Sequence, residues 1–162
     1  MGKIVGIDFG LKRTGIAISD EGGVFAFGLD TVDSAQLMTY LKTLNEKEQF
    51  STIALGMPKR LNNEDGHISE NVRLLKEALH ATFPQVQIEL VDERFTSKMA
   101  SHSMFSAGAT KKQQKDKGLI DKVSATIILQ SYIESRRDVY WLDFFQTEQR
   151  LFLTKPLILH QK

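Results

Sequence analysis

The chain has no cysteine among its 162 residues, which excludes disulfides and thiolate metal centres. It has only three prolines and no low-complexity stretch, so no linker divides it. No apolar run approaches the length of a membrane span. Met1-Gly2-Lys3 leads directly into an apolar segment with no small-residue cleavage site, unlike a signal peptide. The expected location is the cytoplasm, with no membrane contact. Charge of one sign is also lacking: the net charge is +1, so global charge does not argue for a polyanionic partner. Present instead are 41% hydrophobic and 25% charged residues, ordinary for one globular domain of this length.

Asp8 is the first residue out of place. It lies in the apolar strand pattern Ile4-Val5-Gly6-Ile7-Asp8-Phe9-Gly10, where a carboxylate loses water and needs a cation or donors in return. Asp92 and Glu93 close the apolar run Val86–Val91, and Asp121 opens an apolar helix pattern. Acids at two strand ends and a helix start, drawn from distant segments, suit a metal-dependent phosphodiesterase site. Taken singly, each has a structural account. Asp8 serves a tight turn at Gly10, Asp92 accepts from local amides, and Asp121 answers the helix dipole. Neighbouring strand residues point opposite ways, so Asp92 and Glu93 do not both face one site; Glu93 is favoured, with Asp92 a supporting or structural acid.

Two apolar runs, 3–9 and 14–19, joined by Gly10-Leu11-Lys12-Arg13 read as a hairpin, and Val24–Leu29 comes after the turn Asp20-Glu21-Gly22-Gly23. Helical spacing appears over Ser34–Gln49 (capped by Asp33 or Ser34), Ile68–Phe83, Thr96–Ser106 and Leu119–Ser135. Thr52–Met57 and Val86–Val91 are the fourth and fifth strands, and lysine-rich Gly108–Gly118 reads as a mobile loop. The order β-β-β-α-β-α-β-α-α predicts an α/β fold, a mixed five-stranded sheet flanked by helices. Residues 1–137 form the expected domain. Residues 138–162 are an apolar C-terminal extension, packed on the domain or at a subunit contact.

Together the motifs resemble one family. Gly6-Ile7-Asp8-Phe9-Gly10 with Lys12-Arg13-Thr14-Gly15-Ile16-Ala17, Leu55-Gly56-Met57-Pro58, Val91-Asp92-Glu93-Arg94-Phe95-Thr96-Ser97, and Lys111-Lys112 through Asp121-Lys122-Val123-Ser124-Ala125 are similar, in order, to the YqgF/RuvX family of Holliday-junction resolvases and pre-16S rRNA nucleases. The resemblance implies an RNase H-like fold and a Mg²⁺- or Mn²⁺-dependent nuclease. Its catalytic, metal-holding triad would be Asp8, Glu93 and Asp121, around a pair of ions. The implied partner is structured nucleic acid, an rRNA precursor or a four-way DNA junction, with the protein a monomer or homodimer. Phe95, Ser124 and Thr14 depart from the family pattern, and the extension lies beyond it.

Lys111, Lys112, Lys115 and Lys117 are the natural phosphate contacts, against a solvated charge run as the commoner fate of such a stretch. Lys12, Arg13 and Arg94 are further candidates, and Lys59-Arg60 would extend the patch. Gly6 and Gly10 either let phosphate approach the backbone or serve strand packing and a turn. Two other functions compete. An actin- or Hsp70-type phosphotransferase shares the Asp-x-Gly hairpin but needs two such domains. A non-catalytic ribosome-assembly factor would keep the scaffold without using the acids.

Overall fold

The computed structural model describes residues 2–57, 67–92 and 106–153, with side chains assigned except at 67–68 and 138–153. Five strands form one sheet: β1 (Ile4–Phe9), β2 (Arg13–Ser19), β3 (Ala26–Asp33), β4 (Thr52–Met57) and β5 (Gln87–Asp92). Their order across the sheet is β3-β2-β1-β4-β5. β1–β2 and β2–β3 pair antiparallel, whereas β1–β4 and β4–β5 pair parallel, so the sheet is mixed as expected. The helices are α1 (Leu37–Glu48), entered through a 3-10 turn at Ser34–Gln36, α2 (His67–Thr82), a short α3 (Lys111–Lys115) and a long α4 (Lys117–Leu153). The helix expected at Thr96–Ser106 lies almost wholly outside the described residues.

Strand alternation sends successive side chains to opposite faces, and the two faces differ in kind. On one, Val5, Ile7, Ile16, Ile53, Leu55 and Ile88 meet Leu37, Leu41 and Leu44 of α1 and Val72 and Leu79 of α2. On the other, α4 lays Ala125, Leu129 and Ile133, at i, i+4 and i+8, over Ile4, Ala17 and Ala54. That second face is floored by small residues, with Gly6 and Gly15 beside the alanines. A Cβ on Gly6 would sit 2.6 Å from Leu129 Cβ, and one on Gly15 would sit 2.0 Å from the Asp121 carbonyl oxygen. The missing side chains let the α4 backbone rest directly on the sheet.

Local chemistry fixes the connections. Asp33 caps the 3-10 turn by accepting from Ala35 N–H, as one of the two expected caps. The β2–β3 hairpin is tied by Asp20, whose Oδ1 accepts from Val24 N–H at 2.7 Å and Phe25 N–H at 2.9 Å. Those bonds, from Phe25 first and then Val24, hold the Asp20 carboxyl below the usual carboxylate range. A depressed folded-state value contributes stability above the unfolded-state pKa of about 3.9, and the contribution is lost as pH falls through the folded value. Asp20→Asn keeps an acceptor but removes the charge. Its urea midpoint should therefore lie below wild type at pH 7 and converge towards it by pH 3. A constant gap across that range would contradict this account.

Two expected elements differ. The supposed mobile loop at Gly108–Gly118 contains α3, closed by a capping box: Gln113 N–H donates to Thr110 Oγ1, and the Gln113 side chain accepts from Thr110 N–H. Polar, lysine-rich composition concealed this cap. The last helix runs to Leu153 without a break rather than ending near Ser135. Ser135-Arg136-Arg137 contains no breaker, so nothing stops it there.

Candidate active site

The β1–β2 hairpin and the first turns of α4 build the site. In the β1–β2 register Asp8 stands opposite Gly15. Both lie on the α4 face, since Val5 and Ile7 occupy the other. Gly15 in turn carries the Asp121 backbone against it. One glycine therefore brings two acids, 113 positions apart in sequence, over the same point of the sheet. Asp8 and Asp121 are both partly buried.

Asp121 is not the opening residue of its helix but the fifth of α4. The opening role belongs to Asp116, whose Oδ1 accepts from Leu119 N–H at 3.2 Å while its carbonyl accepts from Ile120 N–H at 3.0 Å. Asp116 is thus a helix cap rather than a lone acid among the lysines. Asp121 is compensated across the site by Arg13, whose Nε donates to Asp121 Oδ2 at 3.0 Å. Arg13 is therefore in contact with one of the candidate acids. Both side chains are part-exposed, so the pair adds little stability.

The hairpin tip is held in place. Ser34 Oγ donates to the Gly10 carbonyl, Ser34 N–H donates to the Lys12 carbonyl at 3.0 Å, and Thr14 Oγ1 lies 2.8 Å from Ser34 Oγ. Gly10 is required by the turn itself, because a Cβ there would meet the Arg13 carbonyl oxygen at 2.5 Å. Of the two readings of these glycines, the packing and turn roles are seen: a Cβ would meet α4 at Gly6 and the backbone of its own turn at Gly10. Thr14, a departure from the family pattern, is accounted for by its contact with Ser34. Ser124, the departure on α4, is buried and its hydroxyl has no partner among the described residues.

Asp92 ends β5 opposite Met57. It shares the parity of Ile88, which belongs to the α1–α2 face, whereas Val91 packs against the α4 side. Asp92 is therefore directed away from the face that carries Asp8 and Asp121. Glu93 and Arg94 lie outside the described residues, as do Lys59 and Arg60. Among the described residues no group of three acids or histidines is close enough to hold a metal. Asp8 and Asp121, whose backbones meet at Gly15, carry hard oxygen donors, the kind that suits Mg²⁺ or Mn²⁺, and Arg13 places a cation against Asp121. To that extent the residues fit such an ion.

Lys111, Lys112, Lys115 and Lys117 are all exposed, on or next to α3, within ten residues of Asp121. α3 is tied to α4 through Asp116, and the start of α4 to β3 through Thr31 Oγ1, which donates to the Gly118 carbonyl. The lysines thus stand on or next to a short helix joined to the helix that carries Asp121. Lys12 is exposed at the hairpin tip. Gly15 was read only as part of a motif and Ser34 only as a possible helix cap, and neither they nor Asp116 was assigned a part in building the site. A glycine inside strand β2 is the one signal that could have exposed the first.

Three comparisons bear on this arrangement. The model of the family described as "RuvX: Holliday junction resolvase" matches residues 2–135. A relative from Bacteroides thetaiotaomicron is 44% identical over 137 residues, covering 85% of this chain and 99% of the relative. Another, from Flavobacterium johnsoniae, is 42% identical over 137 residues, again 85% and 99%. Both carry the name "Putative pre-16S rRNA nuclease". Among solved structures, Thermus thermophilus RuvC in complex with a Holliday junction substrate has a TM-score of 0.54 at 13% identity, covering 85% of this chain and 97% of that one. A second Thermus thermophilus RuvC structure has a TM-score of 0.50 at 13% identity, covering 84% and 96%. At that identity the likeness is one of fold, and it agrees with the expected RNase H-like sheet.

Proposed function

Since the chain belongs to the RuvX family, we propose that it is a divalent-metal-dependent endonuclease of structured nucleic acid that processes the 5′ end of pre-16S rRNA in the cytoplasm. The observation that carries this reading is that the Asp8 and Asp121 backbones meet at Gly15 on one sheet face, with Arg13 against Asp121.

Asp8, Asp121 and Glu93 would hold the metal, which when bound supplies a Lewis acid and an activated water. The protein's own residues do the rest. Arg13 keeps Asp121 aimed at the site through its 3.0 Å contact. Ser34 fixes the hairpin so that Lys12 and Arg13 keep their place when a phosphate approaches. The lysines of α3 attract the phosphate backbone and set its register without reading sequence. No aromatic residue lies between those lysines, which favours recognition by backbone and shape over base stacking.

A four-way DNA junction is the second reading, favoured by the description of the matching family. The deciding experiment gives the protein a 5′-extended 16S precursor and a four-way DNA junction in parallel, with and without Mg²⁺ or Mn²⁺. Metal-dependent shortening of the RNA alone supports the proposal; cleavage of the junction alone replaces it with the second reading; cleavage of neither overturns both.

Lys111→Ala with Lys112→Ala should weaken nucleic-acid binding and reduce the slope of log K against log salt by about 1 to 2, without moving the melting temperature. An unchanged salt slope would remove α3 from the binding surface.

A further inference from the structure

Asp8 stands near the end of β1, and Ile4 begins it. At the Ile4 end of the sheet a cavity of about 210 Å³ lies where the start of β1, the β2–β3 hairpin and α4 meet. Ile4, Val24 and Ile133 give it apolar walls, and Arg136 and Arg137 line its α4 side. No carboxylate lines it among the described residues. Cavities that enclose a drug-sized ligand or a cofactor are commonly about 300–1,000 Å³. This one has room for a single planar ring.

Both arginines are held in place. Arg137 Nη2 donates to the Val24 carbonyl at 3.3 Å, reaching from α4 to the hairpin. The Arg136 guanidinium carbon lies 5.6 Å from the centre of the Tyr132 ring, one turn back on the helix. A guanidinium has five N–H donors, and a bond to one carbonyl leaves its charge uncompensated. Arg137 forms no ion pair among the described residues, in contrast to Arg13. Two acids of this region are engaged elsewhere: Asp20 accepts from the Val24 and Phe25 amides, and Glu134 accepts from Gln130 Nε2 at 3.3 Å.

Guanidinium N–H groups meet phosphate oxygens two at a time. A nucleobase is flat, has an apolar face, and comes joined to such a phosphate. We propose that the cavity takes one nucleotide of a single-stranded segment, its base between Ile4, Val24 and Ile133 and its phosphate on Arg136 and Arg137. The ligand class rests on the nuclease reading, which the site deepens by naming the kind of substrate. Along α4 the rise from Asp121 to Arg137 is about 24 Å at 1.5 Å per residue. A strand covers that distance in about seven nucleotides at 3.4 Å each. Lys122 adds a cation on the way, its stem crossing Gly28 of β3. A 5′-extended precursor supplies such a strand, whereas an intact four-way junction is paired throughout and does not.

The test measures binding without cleavage, in EDTA, by the fluorescence anisotropy of a labelled RNA hairpin. The hairpin carries a 5′ single-stranded extension of about four or about twelve nucleotides, short of the cavity or past it. Wild-type protein should bind the longer extension about tenfold more tightly. Arg136→Ala with Arg137→Ala should remove most of that gain, with unchanged circular dichroism and unchanged affinity for the hairpin without an extension. A long extension of abasic nucleotides keeps the phosphates and lacks the bases, so wild-type protein should lose most of the gain on it; this arm alters no residue. Equal affinity for the two extensions, a gain kept by the double variant, or a gain kept in full by the abasic strand would each overturn the proposal. Metal-dependent cleavage of the same hairpins is assayed apart. The gain without cleavage supports the site and ends the nuclease reading; cleavage without the gain ends the site and supports that reading.

Discussion

Asp8→Asn is expected to reduce metal-dependent cleavage by about a thousandfold or more, equivalent to roughly 4 kcal/mol of barrier, and to leave the folded protein at least as stable as wild type. The loss comes from the proposed role. An amide has nearly the shape of a carboxylate but no charge, and it is a poor ligand for a hard cation. The unchanged stability comes from position. Asp8 and Asp121 lie over the same glycine, so neutralising one removes a repulsion between like charges. The checking measurements are single-turnover cleavage at saturating metal and urea unfolding of the same preparation. Substantial metal-dependent cleavage by the variant would end the catalytic assignment of Asp8. Lost activity with lost stability would instead mark Asp8 as a structural turn residue, the account it has when read alone.

Gly15→Ala should have the largest effect on the fold, though it adds one methyl group. Its Cβ would stand 2.0 Å from the Asp121 carbonyl oxygen and 2.4 Å from the carbonyl carbon. Both atoms belong to a helix backbone that cannot swing aside as a side chain can. Either α4 lifts from the sheet or β2 bends. Overpacking of a core commonly costs about 1–3 kcal/mol, and a clash with backbone belongs at the upper end. The same displacement moves Asp121 away from Asp8, so cleavage should fall even where the variant remains folded. Gly22→Ala is the control: its Cβ would meet only the Asp20 carboxylate and Val24, at 3.3 and 3.5 Å, on a hairpin remote from the acids. A Gly15→Ala protein with wild-type unfolding midpoint and cleavage would show that the close contact between α4 and β2 is not needed.

The strands were legible because their patterns are local. Thr52–Met57 is bounded as expected, and the second and fifth strands fall within a residue of their apolar runs. The third is longer than Val24–Leu29 suggested, running Ala26–Asp33, because its second half pairs polar residues with β2 across a bulge. Ladder hydrogen bonds, rather than hydrophobicity, hold that half in the sheet. α3 was missed because five polar residues carry no periodicity, and a capping box on so short a helix looks like a loop. The lysine cluster itself was visible, but its rigid attachment through Asp116 to the helix bearing Asp121 was not.

By itself the sequence determined the α/β order, the family and the identity of the unusual acids, because these depend on residue type and on periods of two and 3.6 along the chain. The tertiary structure decided which acids share a face, that Arg13 answers Asp121, and that Asp92 lies on the other side of the sheet. The reason is steric. A glycine states only that a side chain is missing, and it takes the approach of a second backbone, here α4 on Gly15, to convert that absence into the meeting of two acid-bearing segments 113 residues apart.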